Sequence, residues 1–145
     1  MDTDVVVQVG QLLARYGHVL DAADWDALDQ LFLPDATIDY RGMATPTVCS
    51  GIEEIRAYFE RAGHPSAHHM SNVYVWDDSG VVRAKSKFFA PFTRSSHEPH
   101  RWFGGDYDDV LERTDAGGRF RHRRCQGRWQ YATGEASADP RRRTW

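Results

Sequence analysis

The hydrophobic repeat of this 145-residue chain changes part of the way along it. In roughly the first 60 residues the apolar side chains recur at three- and four-residue steps, which is the spacing of an amphipathic helix. From Val73 onward they alternate with polar residues, as in strands that have one buried face. Helices followed by mostly antiparallel strands are typical of the α+β class, so the change of period predicts an α+β fold.

Three helices are predicted in the N-terminal half. The second begins at a cap formed by Asp24 and ends before Pro34, because proline lacks the backbone donor and clashes with the preceding turn. The third begins at the capping box Ser50-Gly51-Ile52-Glu53 and runs to Gly63. The first carries a single apolar stripe, made of Val5, Val6, Val9, Leu12, Leu13, Tyr16, Val19 and Leu20.

The alternating part predicts a strongly curved sheet. A strand at residues 36–40 comes before the third helix, a hairpin turns at residues 78–80, and two long strands are joined by a turn at residues 115–118. The pair Gly104-Gly105 inside one strand indicates a bulge or a bend. If the last strand is regular, alternate residues take opposite faces, with Arg119, Arg121 and Arg123 on one and Phe120, His122 and Arg124 on the other.

Length and composition favour one domain. A chain of this length with 41% hydrophobic residues buries a single core, and we expect one domain over residues 1–134 with a loose tail at residues 135–145. A net charge of -3 and the absence of a long apolar run argue against nucleic-acid and membrane partners. Two cysteines outside any CxxC pair and no apolar leader favour a reduced, cytoplasmic location.

Two distant stretches carry the groups that suit acid-base chemistry. Asp21 follows the stripe of the first helix, and His68-His69-Met70-Ser71-Asn72 leads into the first long strand. A carboxylate that reaches a histidine inside an apolar cavity makes a general base near neutral pH. Because neighbouring strand residues point to opposite faces, only one of the two adjacent histidines is expected to face such a cavity.

Several short phrases, in their order and spacing, resemble the SnoaL-like branch of the nuclear transport factor-like superfamily. The resemblance extends from about Val5 to Arg124 and implies a cone-shaped, curved, mostly antiparallel sheet whose three helices enclose a pocket. The phrases are Arg15-Tyr16, Leu20-Asp21, Asp24-Trp25-Asp26-Ala27-Leu28, Leu31-Phe32, Pro34-Asp35-Ala36, His68-His69-Met70-Ser71-Asn72-Val73, Gly104-Gly105-Asp106-Tyr107 and Glu112-Arg113-Thr114-Asp115.

The resemblance also implies roles for individual residues. In members similar to scytalone dehydratase and hexachlorocyclohexane dehydrochlorinase, an aspartate ending the first helix pairs with a histidine that enters the sheet. Asp21 matches that aspartate, and His68 matches the histidine better than His69 does, because His68-x-x-x-Asn72 has the dehydrochlorinase-like spacing. Tyr16 corresponds to a dehydratase tyrosine, and Arg123 falls near a pocket arginine.

The predicted function is a cofactor-independent lyase of the dehydratase type, or a proton-transfer isomerase, with Asp21, His68 and Tyr16 as catalytic residues. Its substrate is expected to be a small hydrophobic or aromatic molecule, and a homodimer or higher homo-oligomer is expected. No metal and no cofactor are expected, since the sequence contains no zinc signature such as HExxH. The residues predicted to bind substrate are Asn72, His69, Arg123, Trp25 and Tyr107.

Alternatives stay open at this level. A polyketide cyclase would use an aspartate as acid and base without the histidine, and a non-enzymatic ligand-binding or assembly module would need neither. Asp21 and Asp24 also suit helix ends, where aspartate is common. Tyr16 lies on the apolar stripe and fits a core position equally well, and Asn72 suits a strand-entry residue that bonds local backbone.

Overall fold

A computed structural model describes residues 1–65, 67–92, 101–115 and 117–132. The described residues form two α-helices, one 3₁₀ helix and six strands. The helices are α1 (Thr3–Asp21), the 3₁₀ helix (Trp25–Gln30) and α2 (Ile52–Arg61). The strands are β1 (Phe32–Gly42), β2 (Val48–Ser50), β3 (His69–Asp78), β4 (Val81–Phe92), β5 (Arg101–Thr114) and β6 (Gly117–Ala132). The predicted α+β class is confirmed.

The six strands form one sheet in the order β2-β1-β6-β5-β4-β3. Every pair is antiparallel except β1 and β6, which run parallel. Register shifts interrupt three of the strand pairs, β1–β6, β3–β4 and β5–β6, and such bulges increase twist and bend a sheet. Helix α1 packs against β3 and β6, and α2 packs against β1. The predicted curved, mixed and mostly antiparallel sheet is confirmed.

Tyr16 of α1 lies at the centre of the core, with no exposed surface. Its ring makes edge contacts with Phe32 of β1, Phe59 of α2 and Phe120 of β6, at centroid distances of 5.9–6.4 Å. The apolar stripe of α1 is buried as predicted, with the exception of Val6, which is 42% exposed. One aromatic side chain therefore connects the helices to the sheet.

The predicted second helix is shorter than expected, and Pro34 does not end it. Asp24 caps the segment, its carboxylate accepting from Ala27 N–H at 3.3 Å, but the helix is a 3₁₀ helix that ends at Gln30. Pro34 lies inside β1, where pairing with β6 is interrupted between Phe32 and Thr37. Proline is tolerated there because an interrupted ladder requires no donor from its nitrogen.

The predicted capping box of the third helix is also wrong by one position. Gly51, with φ of 86°, is the N-cap of α2, and no side chain caps the helix there. The carboxylate of Glu54, not that of Glu53, accepts the Ser50 backbone N–H at 2.8 Å. Glycine takes this conformation without the strain that a Cβ atom would add.

A bulge at Arg121 overturns the predicted faces of the last strand. Leu111 pairs with Phe120 and Val110 pairs with His122, so Arg121 has no partner on β5 and the alternation shifts by one. Phe120 and Arg123 are consequently both buried, whereas Arg121 is exposed and pairs with Glu112 and Asp35. The bulge is what turns Arg123 inward.

The bend at the glycine pair leaves no room for a side chain. A Cβ atom added at Gly105 would stand 2.0 Å from the carbonyl oxygen of Gln126, a backbone atom of β6. We expect Gly105→Ala to lower the free energy of unfolding by about 2 kcal/mol or more, because the backbone must shift. Gly10→Ala, in the interior of α1 with no atom within 4 Å of the added Cβ, is the matched control.

Urea unfolding monitored by circular dichroism measures both variants. Gly10→Ala is expected to stabilise the protein by about 0.5–1 kcal/mol, since alanine loses less backbone entropy in a helix. A Gly105→Ala protein as stable as the parent would contradict the close approach of β5 and β6.

Two predictions concern residues outside those described. The loop from Thr93 to Arg101 falls largely on residues 93–100, and the tail at residues 135–145 falls on 133–145. The single-domain boundary at residue 134 accordingly stays a prediction. Among the helices that the structure describes, none is both long and apolar enough to span a membrane.

Candidate functional site: the Asp21–His68 pair and the inner cavity

The end of α1 meets the entrance to β3. Asp21 Oδ1 lies 2.6 Å from His68 Nδ1, and the two carboxylate oxygens each accept from the His68 backbone N–H at 3.0 Å. The His68 side chain is 5% exposed and that of Asp21 is 25% exposed. Since an ionised carboxylate only accepts, Nδ1 carries the proton of a neutral His68, and Nε2 keeps the lone pair that a base requires.

Gly17 explains how the two elements come so close. A Cβ atom at this position of α1 would lie 3.4 Å from both the Cβ atom and the carbonyl oxygen of His68. Alanine would fill this space at van der Waals contact, so the helix and the entrance to β3 are separated here by no more than the width of one carbon atom. Asp21, one helical turn later, then lies within hydrogen-bond reach of both the ring and the backbone of His68.

Two histidines and four tyrosines line a cavity between the helices and the inner face of the sheet. The cavity has a volume of about 70 Å³, and its further walls are apolar, formed by Leu20, Phe59, Phe88 and Phe103 among others. This volume accommodates a few water molecules at most, so a ring-sized molecule enters only if wall side chains move. The polar members are His64, His68, Tyr16, Tyr40, Tyr58 and Tyr107.

The tyrosine hydroxyls supply hydrogen-bond donors to this cavity. The hydroxyl oxygens of Tyr16 and Tyr40 lie 2.7 Å apart. Burial raises the pKa of Tyr16, an effect partly opposed by the Arg123 charge, and burial raises the pKa of Tyr58 to about 12. Burial also places the pKa of Tyr40 well above its usual range. All three are thus protonated at neutral pH and can donate.

Arg123 packs against the rings of Tyr16 and Tyr107. Its side chain has no exposed surface, and Nε and Nη2 each donate to a carboxylate oxygen of Asp109 at 2.8 Å. The guanidinium carbon stands 4.1 Å from the ring centroid of Tyr16 and 3.9 Å from that of Tyr107. Arg123 therefore contacts the cavity through these rings, and the direct contact with substrate that the sequence predicts requires the rings to move.

Other residues expected to bind substrate are placed elsewhere. Trp25 lies behind the cavity wall and stacks on Phe59 at 6.1 Å. His69 is exposed and stacks on Phe89 at 4.6 Å. Asn72 is exposed, with φ of 50°, at a register shift in β3. The structure thus brings Tyr16, Tyr107 and His68 to the cavity and leaves Asn72 and His69 away from it.

Asn72 belongs to a separate polar groove. This groove has a volume of about 260 Å³, and its lining includes lysines, arginines and aspartates. Asp106 binds Lys87 at 2.7 Å and Arg128 at 2.6 Å. These charges pair with one another, and the described residues lining the groove include no histidine, so the groove has no counterpart of His68 as a neutral proton acceptor.

Three cavity residues, His64, Tyr40 and Tyr58, are not predicted by any sequence pattern. Tyr40 was predicted in a strand and Tyr58 in a helix, each as an apolar position. His64 follows α2 and carries no motif; its proximity to Pro65 and Gly63 marked it only as a helix end. The available signal was a hydroxyl-bearing side chain on an otherwise apolar face. This signal does not distinguish a tyrosine that only packs in the core from one that lines a functional site.

No metal centre is evident in the described ranges, which contain no group of three or more His, Cys, Asp or Glu side chains arranged to hold an ion. Cys125 lines the cavity, and burial raises the pKa of its thiol, which also contacts Met43 Sδ at 3.3 Å. A thiol with a raised pKa is a weak nucleophile, so His68 is the better candidate for reactivity.

Burial is the largest influence on the pKa of His68 and lowers it, while the hydrogen bond and charge of Asp21 act in the opposite direction. Burial likewise lowers the pKa of His64. Both imidazoles are consequently neutral near pH 7, the state in which a histidine accepts a proton.

These pKa shifts predict a pH dependence of stability. The two histidines have a folded pKa below the ordinary value of 6.5, so the unfolded chain binds more protons once the pH falls below that value. The free energy of unfolding is expected to fall as the pH decreases from about 7.5 to about 5, until each folded-state pKa is passed. Urea midpoints across this range measure the effect. His64→Phe should reduce the slope, and a slope equal to that of the parent protein would contradict the prediction.

The chain is similar in sequence to a protein from Mycobacterium tuberculosis (strain H37Rv), the uncharacterized protein Rv2910c. The two are 29% identical over 119 residues, which is 78% of each chain. Residues 2–124 match the model of the SnoaL-like domain. The fold and the cavity define the class of protein, an α+β domain whose curved sheet encloses an inner cavity. The chain belongs to the SnoaL-like domain family.

Solved structures share this fold. A protein of Novosphingobium aromaticivorans, provisionally assigned as an aromatic ring hydroxylase, superposes with a TM-score of 0.79 at 21% identity, covering 92% of this chain and 96% of that one. A provisionally assigned scytalone dehydratase of the same species gives 0.75 at 20% identity over 94% and 93%. The hexachlorocyclohexane dehydrochlorinase LinA Type2 gives 0.75 at 14% identity over 92% and 93%. At these identities the likeness establishes the fold.

Proposed function

We propose that the protein catalyses a cofactor-independent elimination, such as loss of water, or a related proton transfer, on a small carbonyl compound bound in the inner cavity. The observation that carries this proposal is the 2.6 Å contact between Asp21 Oδ1 and His68 Nδ1 at the cavity wall. Two of the solved structures that share the fold bear the names of a dehydratase and a dehydrochlorinase, both of which denote eliminations.

In the proposed reaction, Nε2 of His68 removes a proton from the carbon beside the substrate carbonyl. Asp21 holds the Nδ1 proton and stabilises the imidazolium that forms, as a carboxylate does for a histidine base. The electron pair left on carbon becomes an enolate. When this electron pair returns to the carbon, it forms a double bond to the neighbouring carbon and expels the hydroxyl group attached there. The hydroxyl group takes the proton from His68 and leaves as water.

Tyr16 and Tyr40 suit the stabilisation of the enolate. Their hydroxyls lie 2.7 Å apart and remain protonated, so one can donate to the other while the second donates to the carbonyl oxygen. Donors aimed at a developing negative charge in a dry site are worth about 3–4 kcal/mol each in acyl transfer. Trp25, Tyr107 and Arg123 shape this cavity in the proposal, whereas Asn72 and His69 are not assigned to it.

The cavity volume of about 70 Å³ favours small substrates over the polycyclic products of a polyketide cyclase, because even a single six-membered ring requires wall side chains to move. We also propose, from the sequence, that the protein forms a homodimer or a higher homo-oligomer and is cytoplasmic. A non-enzymatic binding module would use the same cavity without proton transfer, and this difference can be measured.

The test uses two small ketones. Cyclohexanone in deuterium oxide reports removal of an α-proton through loss of its proton NMR signal, and 3-hydroxycyclohexanone reports elimination through the ultraviolet absorbance of the enone. We expect the wild-type protein to accelerate at least exchange above the buffer rate. If it accelerates neither reaction with these ketones or with smaller acyclic β-hydroxy ketones, while still binding them, the binding module is favoured instead.

A further inference from the structure

A second imidazole, that of His64, lines the same cavity as His68. His64 lies in the connection between α2 and β3, and its side chain is partly buried. The ring is tilted against Trp25 at a centroid distance of 5.0 Å and against Phe59 at 5.5 Å. Two aromatic contacts and a hydrogen bond therefore hold this ring in one orientation.

The hydrogen bond of His64 determines its tautomer. Nε2 lies 2.6 Å from the backbone carbonyl oxygen of Phe59, near the end of α2. A carbonyl oxygen only accepts, so the proton of the neutral ring is on Nε2 and the lone pair is on Nδ1. His68 has the opposite arrangement, because Asp21 holds the proton on its Nδ1.

The two imidazoles also differ in their partners. His68 is bonded to a carboxylate, which stabilises the ring when it takes a proton, whereas His64 is bonded to a neutral carbonyl group. Protonation of both rings at once is disfavoured, because each positive charge opposes the other. His64 therefore suits the neutral role of a hydrogen-bond acceptor better than that of a base.

We propose that His64 is a specificity-determining residue, whose Nδ1 accepts a hydrogen bond from a substrate hydroxyl group that remains on the product. The substrate class would then be small hydroxylated carbonyl compounds, including phenols and enols, in preference to plain hydrocarbons or halides. A hydrogen-bond acceptor that loses its donor when a ligand binds costs affinity, which is how one side chain rejects a ligand that lacks the hydroxyl. The inference rests on the proposed function in placing the substrate in this cavity.

Phenol and toluene form a matched pair of probes, since they have nearly the same shape and differ in a hydroxyl against a methyl group. We expect the ratio of their dissociation constants, toluene over phenol, to fall by about three- to tenfold from the wild-type protein to His64→Phe. Phenylalanine keeps the ring packing against Trp25 and removes the acceptor. His18→Phe, the same change at an exposed position of α1, should leave the ratio unchanged.

A second measurement needs no variant. In protein with ¹⁵N-labelled histidine, we expect the Nδ1 resonance of His64 to be of the unprotonated type and to shift when phenol is added. An unchanged ratio in His64→Phe, a proton on Nδ1 of His64, or no phenol binding by the wild-type protein would each overturn the inference. The spectrum decides the question even if His64→Phe does not fold.

His68→Asn separates this inference from the proposed function. It should abolish α-proton exchange, and adding His64→Phe to this variant should still lower the toluene-to-phenol ratio. Absence of exchange in the wild-type protein, together with a toluene-to-phenol ratio that His64→Phe lowers, would contradict the elimination and support the role of His64. Exchange in the wild-type protein with no effect of His64→Phe on the ratio would do the reverse.

Discussion

His68→Asn is expected to reduce the rate of proton abstraction by about 10²–10⁴-fold, the usual contribution of a positioned general base. Asparagine retains a polar side chain of similar reach and has no group that takes a proton near neutral pH. α-Proton exchange of cyclohexanone in deuterium oxide, followed by NMR, measures the loss. The effect should be on the rate at saturating ketone more than on its binding, because the imidazole acts in the transition state.

Asp21→Asn should reproduce a large part of this loss for a different reason. The amide no longer stabilises the imidazolium, and the pKa of His68 falls further because the carboxylate that raises it is gone. A histidine NMR titration should therefore show a lower pKa for His68 in this variant. His18→Asn, on the exposed face of α1, should leave exchange unchanged. Full activity in both site variants would end the mechanistic proposal.

Arg123→Met is expected to lower the free energy of unfolding by about 3–5 kcal/mol, because it leaves the Asp109 carboxylate buried without its partner. Both side chains are fully buried, and two hydrogen bonds of 2.8 Å join them. For a domain of this length, a loss of that size corresponds to a melting temperature lower by about 6–20 °C. Thermal unfolding followed by circular dichroism measures it.

Arg121 offers a matched control two residues earlier on the same strand. It forms ion pairs with Glu112 and Asp35, but its side chain is 44% exposed. Exposed ion pairs contribute about 0–1 kcal/mol, so Arg121→Met should have a small effect. Adding Asp109→Leu to Arg123→Met should recover part of the loss, since an apolar pair replaces the unpaired charge. Equal effects at positions 121 and 123 would contradict the bulge that separates their faces.

The charge pattern of β6 shows where reasoning from sequence stops. A regular strand would place Arg121 and Arg123 on one face, and nothing in the letters around Arg121 marks a bulge. The bulge arises from the pairing of two strands, because Leu111 and Val110 of β5 take Phe120 and His122 as partners and leave Arg121 out. Strand pairing is a long-range property, so local alternation does not determine it.

The helix ends show the same limit at shorter range. Asp24 was predicted as a cap, and it caps the 3₁₀ helix, whereas the length of that helix and the inclusion of Pro34 in β1 depend on pairing with β6. The contact of Phe120 N–H with Leu31 carbonyl oxygen at 2.7 Å draws the chain into the sheet before a longer helix forms. Tertiary hydrogen bonds here outweigh the local preference.

From the residues alone, the period of the apolar side chains was enough to establish the α+β class and the buried face of α1, because periodicity reflects how each element meets the core. The same letters named Asp21 and His68 as groups able to transfer a proton, and left His68 and His69 as rivals. Only the tertiary structure places the imidazole of His68 2.6 Å from the Asp21 carboxylate. It also packs Arg123 against two tyrosine rings and brings His64 to the cavity. These placements depend on bulges, on the missing side chain of Gly17 and on contacts between distant segments, which no local pattern encodes.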